Sequence, residues 1–72
     1  MASSIDIIKR LTNNLETTIQ VCDPEAISQL VDTATHIERA FFKHEINEKE
    51  REKLYRKLYE SVADFRFRCL CR

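Results

Sequence analysis

The sequence predicts an all-α protein, a small antiparallel helical bundle or extended helical hairpin of three amphipathic helices. Three observations predict it. Glycine is absent and Pro24 is the only proline, which argues against the hairpins and tight turns that lean on glycine for positive φ. Apolar residues recur at spacings of three and four in three successive segments, the period of a helix face. Each segment also opens with a residue suited to capping a helix, in "SSID", "DPEA" and "NEKE". The expected helices cover about 4–21, 24–44 and 48–70 of a single domain, 1–72.

In the first segment, Ser3 can cap the opening turn with Asp6 three residues on. Ile5, Ile8, Leu11, Leu15, Ile19 and Cys22 share one face, with Asn13, Asn14, Thr17 and Thr18 mostly off it. Mid-helix asparagines are mildly unfavourable, so this helix depends on packing. The second segment has the strongest boundary: Asp23 caps, Pro24 is preorganised for the first helical position, and Glu25 suits the positive end of the dipole. Ile27, Leu30, Val31, Ala34, Ile37 and Phe41 then read as one stripe, with Phe42 on its edge.

The third segment follows "HEIN". Asn47 is a cap with Glu50 at the third helical position. A polar turn here, or one long bent helix from Pro24 to the tail, both fit the pattern. Leu54, Leu58, Val62, Phe65 and Cys69 form the third stripe, flanked by Tyr55, Tyr59 and Leu70. The ending "FRFRCLCR" extends it, except that Phe67 and Cys71 fall off the face.

Seventy-two residues bury only about 60% of their unfolded surface, so a private core is marginal, and chains of this size often add disulfides, a metal or a partner. Disulfides are not expected: the cysteines number three, and Cys22 lies far in sequence from Cys69 and Cys71. No basic, apolar leader opens the chain, and no run approaches the ~20 apolar residues of a membrane span. The expected setting is a reducing, cytoplasmic one. Net charge is zero, but residues 1–40 carry three basic and six acidic side chains, and residues 41–72 carry nine and six. That asymmetry suits a steered partner or pairing of the two halves.

Specific sites are sparse. Cys69-x-Cys71 lacks the second ligand pair of a structural zinc, because His36 and His44 do not converge with Cys22; no metal is expected. Without glycine there is no phosphate-cradling loop, and no histidine is placed to activate a serine, so neither cofactor nor catalysis is expected. Arg66, Arg68 and Arg72, interleaved with Phe65 and Phe67, are the only candidates for nucleic acid, a weak footprint on a neutral chain.

Aromatic placement is more informative. All six aromatics, Phe41, Phe42, Tyr55, Tyr59, Phe65 and Phe67, follow residue 40. A three-helix monomer buries one stripe per helix, not a widened stripe and an opposite phenylalanine as well. Surplus aromatic surface marks a partner interface. The candidate partner-binding residues are Ile27, Leu30, Ile37, Phe41, Phe42, Tyr55, Tyr59 and Phe67.

Within "PEAISQLVDTATHIERAF", Pro24, Glu25, Ile27, Leu30, Ala34, Ile37, Glu38 and Phe41 carry a resemblance. Residues 24–41 resemble the small E-type needle co-chaperones of bacterial type III secretion, with Leu11, Leu15 and Ile19 as the other arm of that family's hairpin. The resemblance implies a cytoplasmic, non-enzymatic co-chaperone. It would stabilise a tetratricopeptide-like chaperone, and the pair would sequester the needle subunit before export. Chain size, the three stripes and the surplus aromatics, together with the resemblance, lead to the expectation that the isolated protein self-associates as a homo-oligomer or is marginally stable. A second stretch, "IERAFFKHEINEKEREKLY", resembles small enterobacterial gene-expression modulators of the haemolysin-modulating type. That alternative implies a transcription modulator acting with a nucleoid protein or DNA.

Overall fold

A computed structural model describes residues 3–70. Three helices, α1 (Ser4–Gln20), α2 (Glu25–Phe42) and α3 (Glu48–Phe65), pack against one another, and a π-helical turn, Arg66–Leu70, continues from α3. Short links make neighbours antiparallel, and the bundle measures 41 × 23 × 14 Å. There is no strand among the described residues.

The caps form from local chemistry. Ser3 Oγ accepts the Asp6 amide at 3.2 Å, and Asp23 Oδ1 accepts the Glu25 amide at 3.0 Å. Asn47 and Glu50 close a capping box: Asn47 Oδ1 accepts the Glu50 amide at 2.8 Å, and the Glu50 carboxylate accepts the Asn47 amide at 3.1 Å. These bonds occupy amide donors that the first helical turn leaves free. The box also separates α2 from α3, so the chain does not run as one bent helix.

The helix ends correct one inference from composition. Both α1 and α2 finish in a left-handed residue, Cys22 at φ 54° and His44 at φ 61°. Cys22 and Asp23 donate to the Ile19 and Thr18 carbonyls at 3.0 and 3.2 Å; His44 and Glu45 donate to Phe41 and Ala40 at 3.0 and 2.9 Å. Each is a Schellman closure built without glycine. A β-carbon in this region costs roughly 1–2 kcal/mol, offset here by satisfied carbonyls and by burial of Ile46, 4% exposed, just beyond the second closure. A chain without glycine therefore still turns tightly.

The core comprises Ile8, Leu15 and Ile19 from α1, Ala26, Ile37 and Ala40 from α2, Ile46, and Leu58 and Phe65 from α3. Stripes one and three lie where the spacing puts them. The α2 face is rotated. Ala26, Thr33, Ile37 and Ala40 are buried, whereas Ile27 and Val31 are 57% and 62% exposed. At 100° per residue, Ala26, Thr33, Ile37 and Ala40 cluster on the side opposite Val31 and Phe42. Small residues let the helix backbone come close, and Thr33 satisfies its hydroxyl by donating to the Gln29 carbonyl at 2.7 Å.

The larger correction is covalent. Cys22 and Cys69 form a disulfide, with Cα atoms 5.5 Å apart. Sequence distance was the wrong criterion. In an up-down-up bundle the α1–α2 corner and the end of α3 lie at the same end of the molecule. Cys69 is a half-cystine and not the small hydrophobe the stripe suggested. Cys71 and Arg72 lie outside the described residues.

Candidate functional site

The C-terminal end carries the most exposed aromatic. The α3 stripe buries Leu58 and Phe65 and half-buries Leu54, Val62 and Cys69. Beyond Phe65 the backbone widens into the π-helical turn, none of whose residues is buried. The disulfide pins this turn to the α1–α2 corner, and Arg68 Nε holds Asp64 one turn back at 2.9 Å. Phe67 is left 80% exposed, next to Leu70 at 67%. Ala63, Arg66, Phe67 and Leu70 line a shallow depression of ≈ 380 Å³.

A second feature locks α2 to α3. Glu38 Oε1 accepts from Arg51 Nε at 3.1 Å, from Arg51 Nη2 at 2.8 Å, and from the Tyr55 hydroxyl. The guanidinium lies over the Phe41 ring, 4.9 Å from its centroid, and 5.4 Å from that of Tyr55. Tyr59 stacks on Tyr55 with centroids 6.2 Å apart. Phe41 and Tyr55 are thus engaged inside the chain, while Tyr59 and Phe42 remain exposed.

These contacts set the protonation of the cluster. The hydrogen bonds from Tyr55 and then Arg51 hold the Glu38 carboxyl below its ordinary value. Burial, then the bond to Glu38, pushes the Tyr55 hydroxyl up to about 12. A lowered carboxyl pKa contributes stability above the unfolded value, lost as pH falls through the folded one. A raised phenol pKa contributes stability below about 10, lost as pH rises from there toward 12. Glu38→Gln is therefore expected to flatten the acid limb of the stability–pH profile below about pH 4.5, measured by urea unfolding at fixed pH values. A profile identical to that of the parent chain would remove Glu38 from the clasp.

The structure divides the eight proposed partner-binding residues. Ile27, Phe42, Tyr59 and Phe67 are exposed; Leu30, Phe41 and Tyr55 are half-buried against the core; Ile37 is fully buried. Ile37 is corrected from a surface residue to a core residue, because the buried face of α2 is not the stripe that contains Ile27. Spacing missed Val31 and Leu70 as exposed apolar residues, and missed the Glu38–Arg51 pair, whose partners are 13 positions apart. Of the three arginines proposed for nucleic acid, Arg68 is paired with Asp64, Arg66 borders the Phe67 depression, and Arg72 lies outside the described residues. No group of three metal-ligating side chains gathers among the described residues. No helix there is long and apolar enough to cross a membrane.

Against known proteins, no family model, no curated protein and no solved structure matches this chain.

Proposed function

We propose that this chain is a non-enzymatic helical adaptor that binds another protein through the apolar depression at the C-terminal end of the bundle. The observation that carries this reading is Phe67, 80% exposed on a helical segment that the disulfide holds in place. A large aromatic beside Leu70, with Arg66 on the rim, is the composition of an interface anchor. Fixing the segment in advance lowers the ordering cost of binding.

The resemblance of residues 24–41 supports a finer reading, a co-chaperone of type III secretion. Its partners would be a tetratricopeptide-like chaperone and a needle subunit, and its setting the cytoplasm. Cytoplasmic thiols are generally kept reduced, whereas the Phe67 surface that carries the adaptor reading has the Cys22–Cys69 bond closed; the adaptor reading therefore requires a setting in which that bond persists. Trapping free thiols at cell lysis tells whether it does.

The test is co-elution on size exclusion with the products of neighbouring genes, above all a tetratricopeptide-like one. Leu30 and Phe41 are poor positions to disrupt, because both pack on the core. Phe67→Glu combined with Leu70→Glu alters only exposed side chains. It is expected to abolish co-elution while leaving helicity unchanged, and the bound form should melt higher by mass action. Full co-elution of the double variant would overturn the proposed surface.

A further inference from the structure

The second exposed apolar region lies on α2. Ile27, Val31 and Phe42 are 57%, 62% and 79% exposed. Between Val31 and Phe42 a shallow depression is lined by Val31, Ala34, Thr35, Glu38, Arg39 and Phe42. Large side chains stand at the two ends of this stripe and small ones, Ala34 and Thr35, at its middle. One rim of the stripe is charged in an ordered way. Glu25 and Asp32 occupy its N-terminal half, Arg39 and Lys43 its C-terminal end, and all four are exposed. At 100° per residue the four fall within one narrow arc. None of them is in an ion pair among the described residues.

We infer that this face of α2 pairs with the same face of a second copy, antiparallel, about a two-fold axis between Ala34 and Thr35. The register follows from the sequence of the stripe. With that axis, Ile27 of one copy lies opposite Phe42 of the other. Val31 lies opposite Glu38, in the depression between Thr35 and Phe42. Ala34 meets Thr35, where small side chains permit close approach of the backbones. In an antiparallel helix pair, like flanks face each other. Asp32 then faces Arg39 of the second copy with an axial offset of about 3 Å at 1.5 Å rise per residue; Glu25 and Lys43 lie farther round the helix, away from the contact.

The Ile27–Phe42 contact, the Ala34–Thr35 approach and the Asp32–Arg39 pair thus agree on one axis. Two-fold symmetry repeats that charge pair, giving a self-complementary, isologous contact. In a parallel two-fold pair the charged rims of the two copies would fall on opposite sides of the contact, and no Asp32–Arg39 pair would form. One helix pair of this length makes a small interface, below the roughly 1,200 Å² of stable complexes. The dimer is therefore weak and concentration-dependent, and its contact uses none of the residues that line the Phe67 depression. The inference does not depend on the adaptor reading, and its test uses the chain alone.

Sedimentation equilibrium of the oxidised Cys71→Ser chain, which removes intermolecular disulfides, should show a monomer–dimer equilibrium weakened by salt. Asp32→Arg and Arg39→Asp each place like charges across both symmetry-related contacts. Each should weaken dimerisation by about tenfold or more. The double variant Asp32→Arg/Arg39→Asp should restore it to near the parent value, as should an equimolar mixture of the two single variants. Phe42→Ser should weaken the dimer independently of salt. Helicity and thermal midpoint of the dilute monomers serve as the folding control, since all three side chains are exposed. A chain that stays monomeric at millimolar concentration would overturn the inference. So would charge reversals without effect, or a double variant no better than its parents.

Discussion

Breaking the Cys22–Cys69 disulfide is expected to destabilise the fold by about 4 kcal/mol, on the loop-entropy relation for a closed loop of this length. The two cysteines are 47 positions apart, so the bond removes much of the freedom of the unfolded chain. A core of this size rarely supplies more than about 3–5 kcal/mol by itself. The reduced chain should therefore sit close to its unfolding midpoint at 37 °C, with a melting temperature on the order of 20 °C lower. Urea unfolding with and without reductant, on a Cys71→Ser background, measures this. Cys22→Ser with Cys69→Ser should reproduce the reduced state without reductant. A shift below about 1 kcal/mol would mean that the unfolded chain is already compact around this contact. The earliest local loss should be amide protection in Arg66–Leu70, because no residue of that turn is buried.

The second large effect separates two isoleucines of α2. Ile37 is enclosed, at 0% exposure, and Ile27 is 57% exposed. Ile37→Ala removes three buried carbons and leaves a cavity, at a cost of about 2–5 kcal/mol. Ile27→Ala changes little buried surface and gains helix propensity, so its expected effect is within about 0.5 kcal/mol. Both are measured by denaturant midpoint at concentrations too low for self-association. Equal losses would mean that α2 presents its stripe to the core at the angle the spacing suggested, and the observed rotation would be wrong.

This pair shows what spacing reads and what it misses. On α1 the core positions Ile8, Leu15 and Ile19 are the bulkiest apolar residues of one face, so periodicity finds them. On α2 there are two apolar arcs, one small (Ala26, Ala40, with Thr33) and one large (Ile27, Val31, Phe42). Hydropathy favours the large one. Packing chooses the small one, because a helix between two neighbours needs close approach more than it needs bulk, and Ile37 fills the remaining space. On the site side, Phe67 was legible as a misfit because it breaks the stripe of α3. The Glu38–Arg51–Tyr55 clasp was not, because it joins two helices whose relative rotation no single-helix pattern specifies.

By itself, the sequence determined that the described chain is helical, where its three helices start, and that more apolar surface exists than three core faces can hold. Those properties are local: they depend on spacing and on capping groups within a few residues of each other. The tertiary structure alone decided which α2 face is buried, that the corner at Cys22 meets the turn at Cys69, and that glycine-free closures at Cys22 and His44 suffice. Each of these depends on the rotation and end-to-end alignment of one helix against another. Packing and chain topology set those variables, and they leave no trace in the periodicity of a single segment.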